Sequence, residues 1–394
     1  MTPAARVQAA IELLDQILIA ARQAGSAADT IVARYFKDRR YAGSGDRRAV
    51  RELVYRAIRT WGDPPYSGRA AMLGLAQGEP DLMRLFDGVA HGPAPVTAGE
   101  SRAEGGAIPA WLSGRLDPLL DEAEIADLLT RAPLDLRVNR LKGDVEGALA
   151  AFPGAARTAL SPIGLRLSES LAVEQSEAWR SGQIEVQDEG SQLVALACAA
   201  KPDMIVIDLC AGAGGKTLAL AAGMAGRGRI IACDTDRGRL SRLAPRLMRA
   251  GAAAVETRLL DPGGELQALG DLANGADIVL VDAPCSGSGT WRRNPETRWR
   301  LTPDRLARLV DTQARLLDIA AQLTAPDGHF VYAVCSVLAE EGRGQAKALG
   351  ARHSRLVRQD VPIPGGRAAG PGRLLTPAHD GTDGFFVARW RASC

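Results

Sequence analysis

Residues 204–217 read Met204-Ile205-Val206-Ile207-Asp208-Leu209-Cys210-Ala211-Gly212-Ala213-Gly214-Gly215-Lys216-Thr217. An unbroken apolar run from Met204 to Ile207 ends at an acid and then breaks into glycines. That pattern predicts a strand of a parallel sheet, buried on both faces, turning tightly into a helix. Glycines in such a turn let the backbone come close to a bound molecule. In open α/β sheets the crevice outside the carboxyl ends of the strands is where ligands bind.

The choice of ligand follows from two near misses. A phosphate-binding loop needs glycine five residues before the Gly-Lys-Thr, and Cys210 stands there. The dinucleotide fingerprint needs glycine three residues after Gly214, and Thr217 stands there. A second strand, Arg229 to Cys233, closes with Asp234, at the distance where an acid meets a ribose. A strand ending in an acid, a Gly-x-Gly turn and this second acid suit a nucleoside without a pyrophosphate. S-adenosylmethionine is such a ligand.

The chain has 394 residues, enough for two or three domains, and ordinary fractions of apolar (46%) and charged (24%) residues. No apolar run is long enough to span a bilayer and no signal-peptide pattern opens the chain, so no membrane association and a cytoplasmic location are expected. The six cysteines all fall at or after Cys198 and none forms a CxxC pair, so neither a disulfide framework nor a metal site is expected. A net charge of +2 says little by itself about a nucleic-acid partner, because binding depends on where charge clusters.

The first part of the chain reads as helical. Val7, Ile11, Leu14 and Leu18, with Ala10, Leu13, Ile17 and Ala21, follow helical spacing. A second helix is expected over Ala28 to Phe36. A third, Asp46 to Thr60, carries Arg47, Arg48, Arg51, Arg56 and Arg59 opposite Val50, Leu53, Val54, Ala57 and Ile58. Such a face is either simply solvated or contacts phosphates. Gly62 to Gly106 reads as irregular, with short helices at Ala70 to Ala76 and Asp81 to Val89, and a further helix surrounds Asp121 to Leu129. Leu134 to Asn139, Leu165 to Leu167 and Ile184 to Val186 read as strands around a helix at Val145 to Ala151, a small α+β unit.

After Asp188 helices and strands alternate, with strands expected at Val255 to Leu259, Asp277 to Val281 and His329 to Val334, and a last strand, Gly384 to Trp390, at the sheet's end. This is the pattern of a doubly wound α/β sheet. The strand at Asp277 leads into Asp282-Ala283-Pro284-Cys285-Ser286-Gly287-Ser288-Gly289, and the strand ending at Val334 leads into Cys335-Ser336. Both thiols would then emerge at the carboxyl edge that carries the cofactor turn. Cys198, Cys210, Cys233 and Cys394 are read as packing residues.

A methyl donor beside two thiols suits one chemistry. A thiolate adding to carbon 6 of a pyrimidine turns carbon 5 into a nucleophile for the methyl group, and a second thiol can assist release of the product. Asp282 suits a cytosine, by accepting from its exocyclic amine or sharing a proton with ring nitrogen 3. Methylation of an exocyclic nitrogen usually needs an aromatic residue after the proline, where this chain has Cys285.

With these motifs the chain resembles the RsmB/Nop/Sun family of S-adenosylmethionine-dependent RNA cytosine-5 methyltransferases. The likeness covers most of the chain and is dense from Gln187 to Ser336. It is carried by Val186-Gln187-Asp188-Glu189-Gly190-Ser191-Gln192, by the turn Asp208 to Thr217, by the two cysteine motifs (Asp282 to Gly289 and Val331 to Ser336) and by Phe385-Phe386-Val387-Ala388. The resemblance implies a Rossmann-like class I methyltransferase domain over 188–394, a small α+β domain over 131–187 and an all-α, NusB-like RNA-binding domain over 1–130. The last rests on Arg39-Arg40-Tyr41-Ala42-Gly43-Ser44-Gly45-Asp46-Arg47-Arg48; Pro133 to Asn139 resembles the segment that opens the small domain.

The resemblance also implies roles. Cys335 is the nucleophile and Cys285 the residue that helps release the product, with Asp282 and Lys216 at the target base. The backbone of Cys210, Ala211, Gly212, Ala213, Gly214, Gly215 and Lys216 holds the methionine end of the cofactor, Asp234 its ribose and Asp261 its adenine, with Asp282 also beside it. The stretch Thr290 to Arg300 interleaves arginine with tryptophan as single-strand-binding surfaces do, and resembles the segment after the first cysteine motif. Two positions depart from the family pattern: Val334 stands where threonine is usual and Gly342 where asparagine is commoner. The expected partner is RNA, most of all ribosomal RNA, bound by a monomer. The competing expectation is a non-catalytic RNA-binding or ribosome-assembly factor that keeps the pocket.

Overall fold

The computed structural model describes residues 1–23, 25–168 and 171–393, so Cys394 lies outside the described residues. The chain divides into two compact units: Met1–Leu116 with Trp291–Pro303, and Asp117–Thr290 with Asp304–Cys394. The first unit closes at Leu116, where 130 was expected, and includes the segment Trp291–Pro303.

The first unit is helical. Helix α1 (Pro3–Arg22) starts where Thr2 accepts from the Ala5 N–H and Pro3 fills the first turn. Its expected apolar residues, Val7 to Ala21, are all buried, against α2 (Ala28–Lys37), α3 (Ser44–Thr60) and α4 (Gly68–Ala76). On α3, Arg47, Arg48 and Arg51 are exposed. Arg56 instead meets Glu79 at 3.0 Å and Arg59 lies over the Tyr55 ring. The stretch from Gly62 to Gly106 is irregular but tied down: Gly62 N–H donates to Gly106 O at 2.8 Å, Ala103 N–H to Ala70 O at 2.9 Å, and Arg69 pairs with Glu100. The helix expected over Asp81 to Val89 is only Pro80–Met83, because the chain turns back at Gly88 (φ 74), whose N–H goes to Pro93 O.

The arginine–tryptophan stretch corrects an expectation. Trp291 is wholly buried, Trp299 is 5% exposed and Arg298 1%. The Arg298 guanidinium donates to the carbonyls of Ile58, Pro295 and Ala107, and the Trp299 indole N–H to Trp61 O at 2.9 Å. Trp299 belongs to the core built by α1 to α4. Arg298 and Trp299 are interior packing of the helical unit, not a surface on which bases could stack. The alternation looks the same in sequence, since a guanidinium serves buried carbonyls as readily as phosphates.

The second unit holds two sheets. Strands β1 (Leu134–Val138), β2 (Ala155–Arg157), β3 (Gly164–Leu167) and β4 (Ile184–Val186) form an antiparallel sheet in the order β2-β3-β1-β4. Leu136, Val138, Leu165, Leu167 and Ile184 pack with Phe152 and Ala178 beneath it. The larger sheet adds β5 (Ile205–Asp208), β6 (Arg229–Asp234), β7 (Val255–Leu259), β8 (Ala276–Asp282) and β9 (Thr324–Val334). These five run parallel in the order β9-β8-β5-β6-β7. Their runs of Val, Ile and Leu are buried where the strands are central, as in Val206-Ile207 and Ile278 to Val281.

The sheet continues antiparallel past β9, an extension of which the sequence pattern shows only the last strand. Strands β10 (Leu356–Gln359), β11 (Arg367–Ala369), β12 (Gly372–Leu375) and β13 (Phe385–Ala392) complete nine strands. The final run, β13, lies inside the sheet between β9 and β12, rather than at its end. Chain order reverses between β5 and β8, so the ligand crevice of such a sheet falls at the carboxyl ends of β5, β6 and β8. No described helix is long and apolar enough to cross a membrane.

Candidate active site

The cofactor turn is shaped by backbone that only glycine adopts easily. Gly212 and Gly214 have φ of 57 and 87°, and the helix Gly215–Gly223 starts immediately after. A Cβ on Gly214 would lie 2.0 Å from Leu243 Cδ1, whereas one on Gly212 would meet nothing within 4 Å. The turn is thus packed beneath and open above. Arg246 braces it from below by donating to Ala213 O at 2.6 Å.

Acids stand at successive strand ends around that opening. Asp234, at the end of β6, accepts from Gly212 N–H at 2.8 Å and from Asp236 N–H at 2.7 Å. Asp261 is exposed just past β7, whose end is joined to β6 by Leu260 N–H donating to Asp234 O. Asp208, at the end of β5, is buried, with Thr217 Oγ1 donating to one carboxylate oxygen at 2.7 Å. Burial pushes the Asp208 carboxyl up to about 7, with the Thr217 bond pulling the other way. That bond ties it to the first turn of the helix that follows.

At the end of β8, Asp282 receives the Lys216 ammonium at 2.6 Å. Burial alone would lower the pKa of Lys216, but the charge and hydrogen bond of Asp282 outweigh it and the net shift is upward, so Lys216 stays charged. The ammonium also lies 5.2 Å from the centre of the Phe385 ring. Cys285 follows in the loop after β8 and Cys335 in the loop after β9, with their Sγ atoms 3.4 Å apart. Hydrogen bonding to Cys335, then burial, pushes the Cys285 thiol well above its ordinary value.

The other cysteines differ. Cys198 and Cys233 are wholly buried, and burial pushes Cys233 up to about 12. Cys210 is half-buried in the cofactor turn. Among the described residues no group of three or more His, Cys, Asp or Glu is placed to hold a metal ion. Val334 and Gly342 both lie against Phe386: Val334 is fully buried in β9 opposite it, and a Cβ on Gly342 would lie 2.9 Å from Phe386 Cγ.

One residue of the site has no role in the motif reading. Glu341, buried, accepts from Ser286 N–H at 2.8 Å, from Gln313 Nε2 at 2.9 Å, and from the Ser286 and Ser336 hydroxyls at 2.5 Å each. It stands 5 residues beyond Ser336 in the chain and 55 beyond Ser286, so no local spacing connects it to the first cysteine loop.

A glycine turn open above, acids at the next strand ends and a parallel sheet with an antiparallel extension define an S-adenosylmethionine-dependent class I methyltransferase. The model of the 16S rRNA methyltransferase RsmB/F family matches residues 195–391. Ribosomal RNA small subunit methyltransferase B of Sodalis glossinidius is 31% identical over 352 residues, 86% of this chain and 78% of that protein. The Xylella fastidiosa (strain 9a5c) protein of the same name is 36% identical over 72% of this chain and 68% of its own length. The crystal structure of PH0851 aligns over 99% of both chains with a TM-score of 0.78 at 23% identity, a likeness of fold. A methyltransferase homolog protein from Pyrococcus horikoshii, 26% identical, aligns over 68% of this chain and 90% of its own with a TM-score of 0.60. The chain belongs to the RsmB/F family of methyltransferases.

Proposed function

We propose that this chain methylates carbon 5 of a cytosine in ribosomal RNA through a covalent adduct on Cys335. The observation that carries the reading is the pair of thiols 3.4 Å apart beside the Lys216–Asp282 pair, at strand ends flanking the cofactor turn. The names of the relatives support ribosomal RNA as the substrate and a cytoplasmic site of action. The exposed Arg47, Arg48 and Arg51, with Arg40 and Tyr41 exposed nearby, support RNA contact by a NusB-like helical unit.

In this reading the backbone of Cys210 to Lys216 holds the methionine end of the cofactor, Asp234 the ribose and Asp261 the adenine, with Asp282 on the side of the target base. The cofactor supplies an electrophilic methyl group. Asp282, oriented by Lys216, bonds to the cytosine amine or shares a proton with ring nitrogen 3, which makes carbon 6 electrophilic. Cys335 as thiolate forms the bond to carbon 6, and the ring's electron pair shifts to carbon 5, which takes the methyl group. Cys285, its own proton released to solvent, takes up the one on carbon 5. The bond from sulfur to carbon 6 then breaks, and Cys335 leaves as thiolate.

The test is transfer of tritium from labelled S-adenosylmethionine to RNA, followed by bisulfite sequencing of the product. Protected cytosines that vanish with Cys335→Ala are expected. Absence of transfer by the unmodified chain, or label on another base, overturns the reading.

A further inference from the structure

Glu341 lies in neither cysteine loop, yet both loops end on its carboxylate. Ser286 and Ser336, which donate to it, are each the residue directly after a cysteine. One carboxylate oxygen takes Ser286 N–H and Gln313 Nε2, and the other takes both serine hydroxyls. The same Gln313 amide donates to Pro284 O at 2.9 Å, on the other side of Cys285. Ser288 Oγ closes the set, 2.9 Å from Ser336 Oγ and accepting from Val337 N–H at 2.9 Å. Glu341 is itself fixed, because Tyr332 OH donates to its backbone carbonyl at 2.6 Å.

A wholly buried carboxylate is costly unless every lone pair is used, and an apolar side chain would fill the same space more cheaply. What a carboxylate adds is direction, since two oxygens fixed by four donors set the angle and separation of the groups that donate. We propose that Glu341 is a positioning residue that holds the Cys285 and Cys335 loops at one separation, so that both thiols address the same pyrimidine ring. The inference deepens the cytosine-5 reading and rests on it for its chemistry, while its geometry can be measured without RNA.

The measurement is disulfide formation in the full chain, free of RNA and cofactor, driven by diamide. Cys285 and Cys335 lose two protons and two electrons to form one sulfur–sulfur bond, and the diazene is reduced to the hydrazine. Peptide mass spectrometry follows the Cys285–Cys335 product with time. Glu341→Ala is expected to slow its formation tenfold or more, and Glu341→Gln, which keeps the shape and one acceptor oxygen, by less than threefold. Methyl transfer by Glu341→Ala should lose at least tenfold in kcat with the KM for S-adenosylmethionine unchanged. A wild-type disulfide rate in Glu341→Ala, or a loss confined to KM, overturns the proposal. Should Glu341→Ala show no cooperative melting transition, Ser336→Ala, which removes one of four donors, must slow the disulfide severalfold, and an unchanged rate overturns the proposal equally. A fast disulfide that Glu341→Ala slows, in a chain that transfers no methyl to RNA, leaves the positioning intact and rejects the RNA reading.

Discussion

Cys285 and Cys335 are 50 residues apart in the chain and their sulfurs 3.4 Å apart in space. That closeness makes the two alanine variants informative in opposite ways. Cys335→Ala removes the group assigned to attack, so methyl transfer should fall by three orders of magnitude or more and no adduct should form. Cys285→Ala leaves attack possible and slows release, so a protein–RNA adduct should accumulate that survives a denaturing gel. An active Cys285→Ala enzyme with no adduct, or an adduct formed by Cys335→Ala, would reverse the assignment.

Gly214 is where the cofactor turn has least freedom. Alanine there meets a φ of 87° and a Leu243 methyl 2.0 Å from its Cβ. A non-glycine residue held at such φ costs of order 1 kcal/mol before any clash. Gly214→Ala should therefore weaken S-adenosylmethionine binding by calorimetry at least tenfold, while Gly212→Ala, whose Cβ faces open space, carries the φ strain without the clash and should cost the folded turn less. Equal melting temperatures for Gly214→Ala and wild type, with unchanged affinity, would contradict the packing described.

The parallel part of the fold was legible because a strand buried on both faces writes itself as solid Val, Ile and Leu, as in Ile278 to Val281. The strand ends and their acids followed from it. Of the antiparallel extension only β13 was legible: β11 and β12 are three and four residues long, and Arg367 and Arg373 interrupt any alternation. Glu341 escaped because its partners are assembled by the sheet rather than by spacing. Arg298 and Trp299 were misread because an alternating Arg–Trp pattern fits an exposed stacking surface and a buried clamp equally well.

That correction has its own consequence for stability. Trp299 is 5% exposed, its indole donates to Trp61 O, and it packs in the core of the helical unit. Trp299→Ala should destabilise the protein by about 3–5 kcal/mol, the usual cost of removing a buried tryptophan. Salt titrations of RNA binding should meanwhile keep the wild-type slope, because no phosphate contact is lost. A variant that melts normally and binds RNA with a shallower slope would restore the surface reading.

Asp208 gives the protein a pH dependence of definite sign. Burial raises its carboxyl from 3.8 to about 7, against the bond from Thr217. Between those values the folded chain holds a proton that the unfolded chain has released, so this group's contribution to stability is full below about pH 4 and is lost as pH rises through about 7. About three units at 1.36 kcal/mol each put the loss at about 4 kcal/mol at most. Asp208→Asn is neutral at every pH and its amide oxygen can still accept from Thr217 Oγ1. Urea unfolding at pH 5 and pH 8 should then show the asparagine variant gaining on wild type at the higher pH, all other titrating groups being common to both. A difference between the two proteins that is the same at pH 5 and pH 8 would mean that Asp208 keeps an ordinary carboxylate pKa in the folded chain.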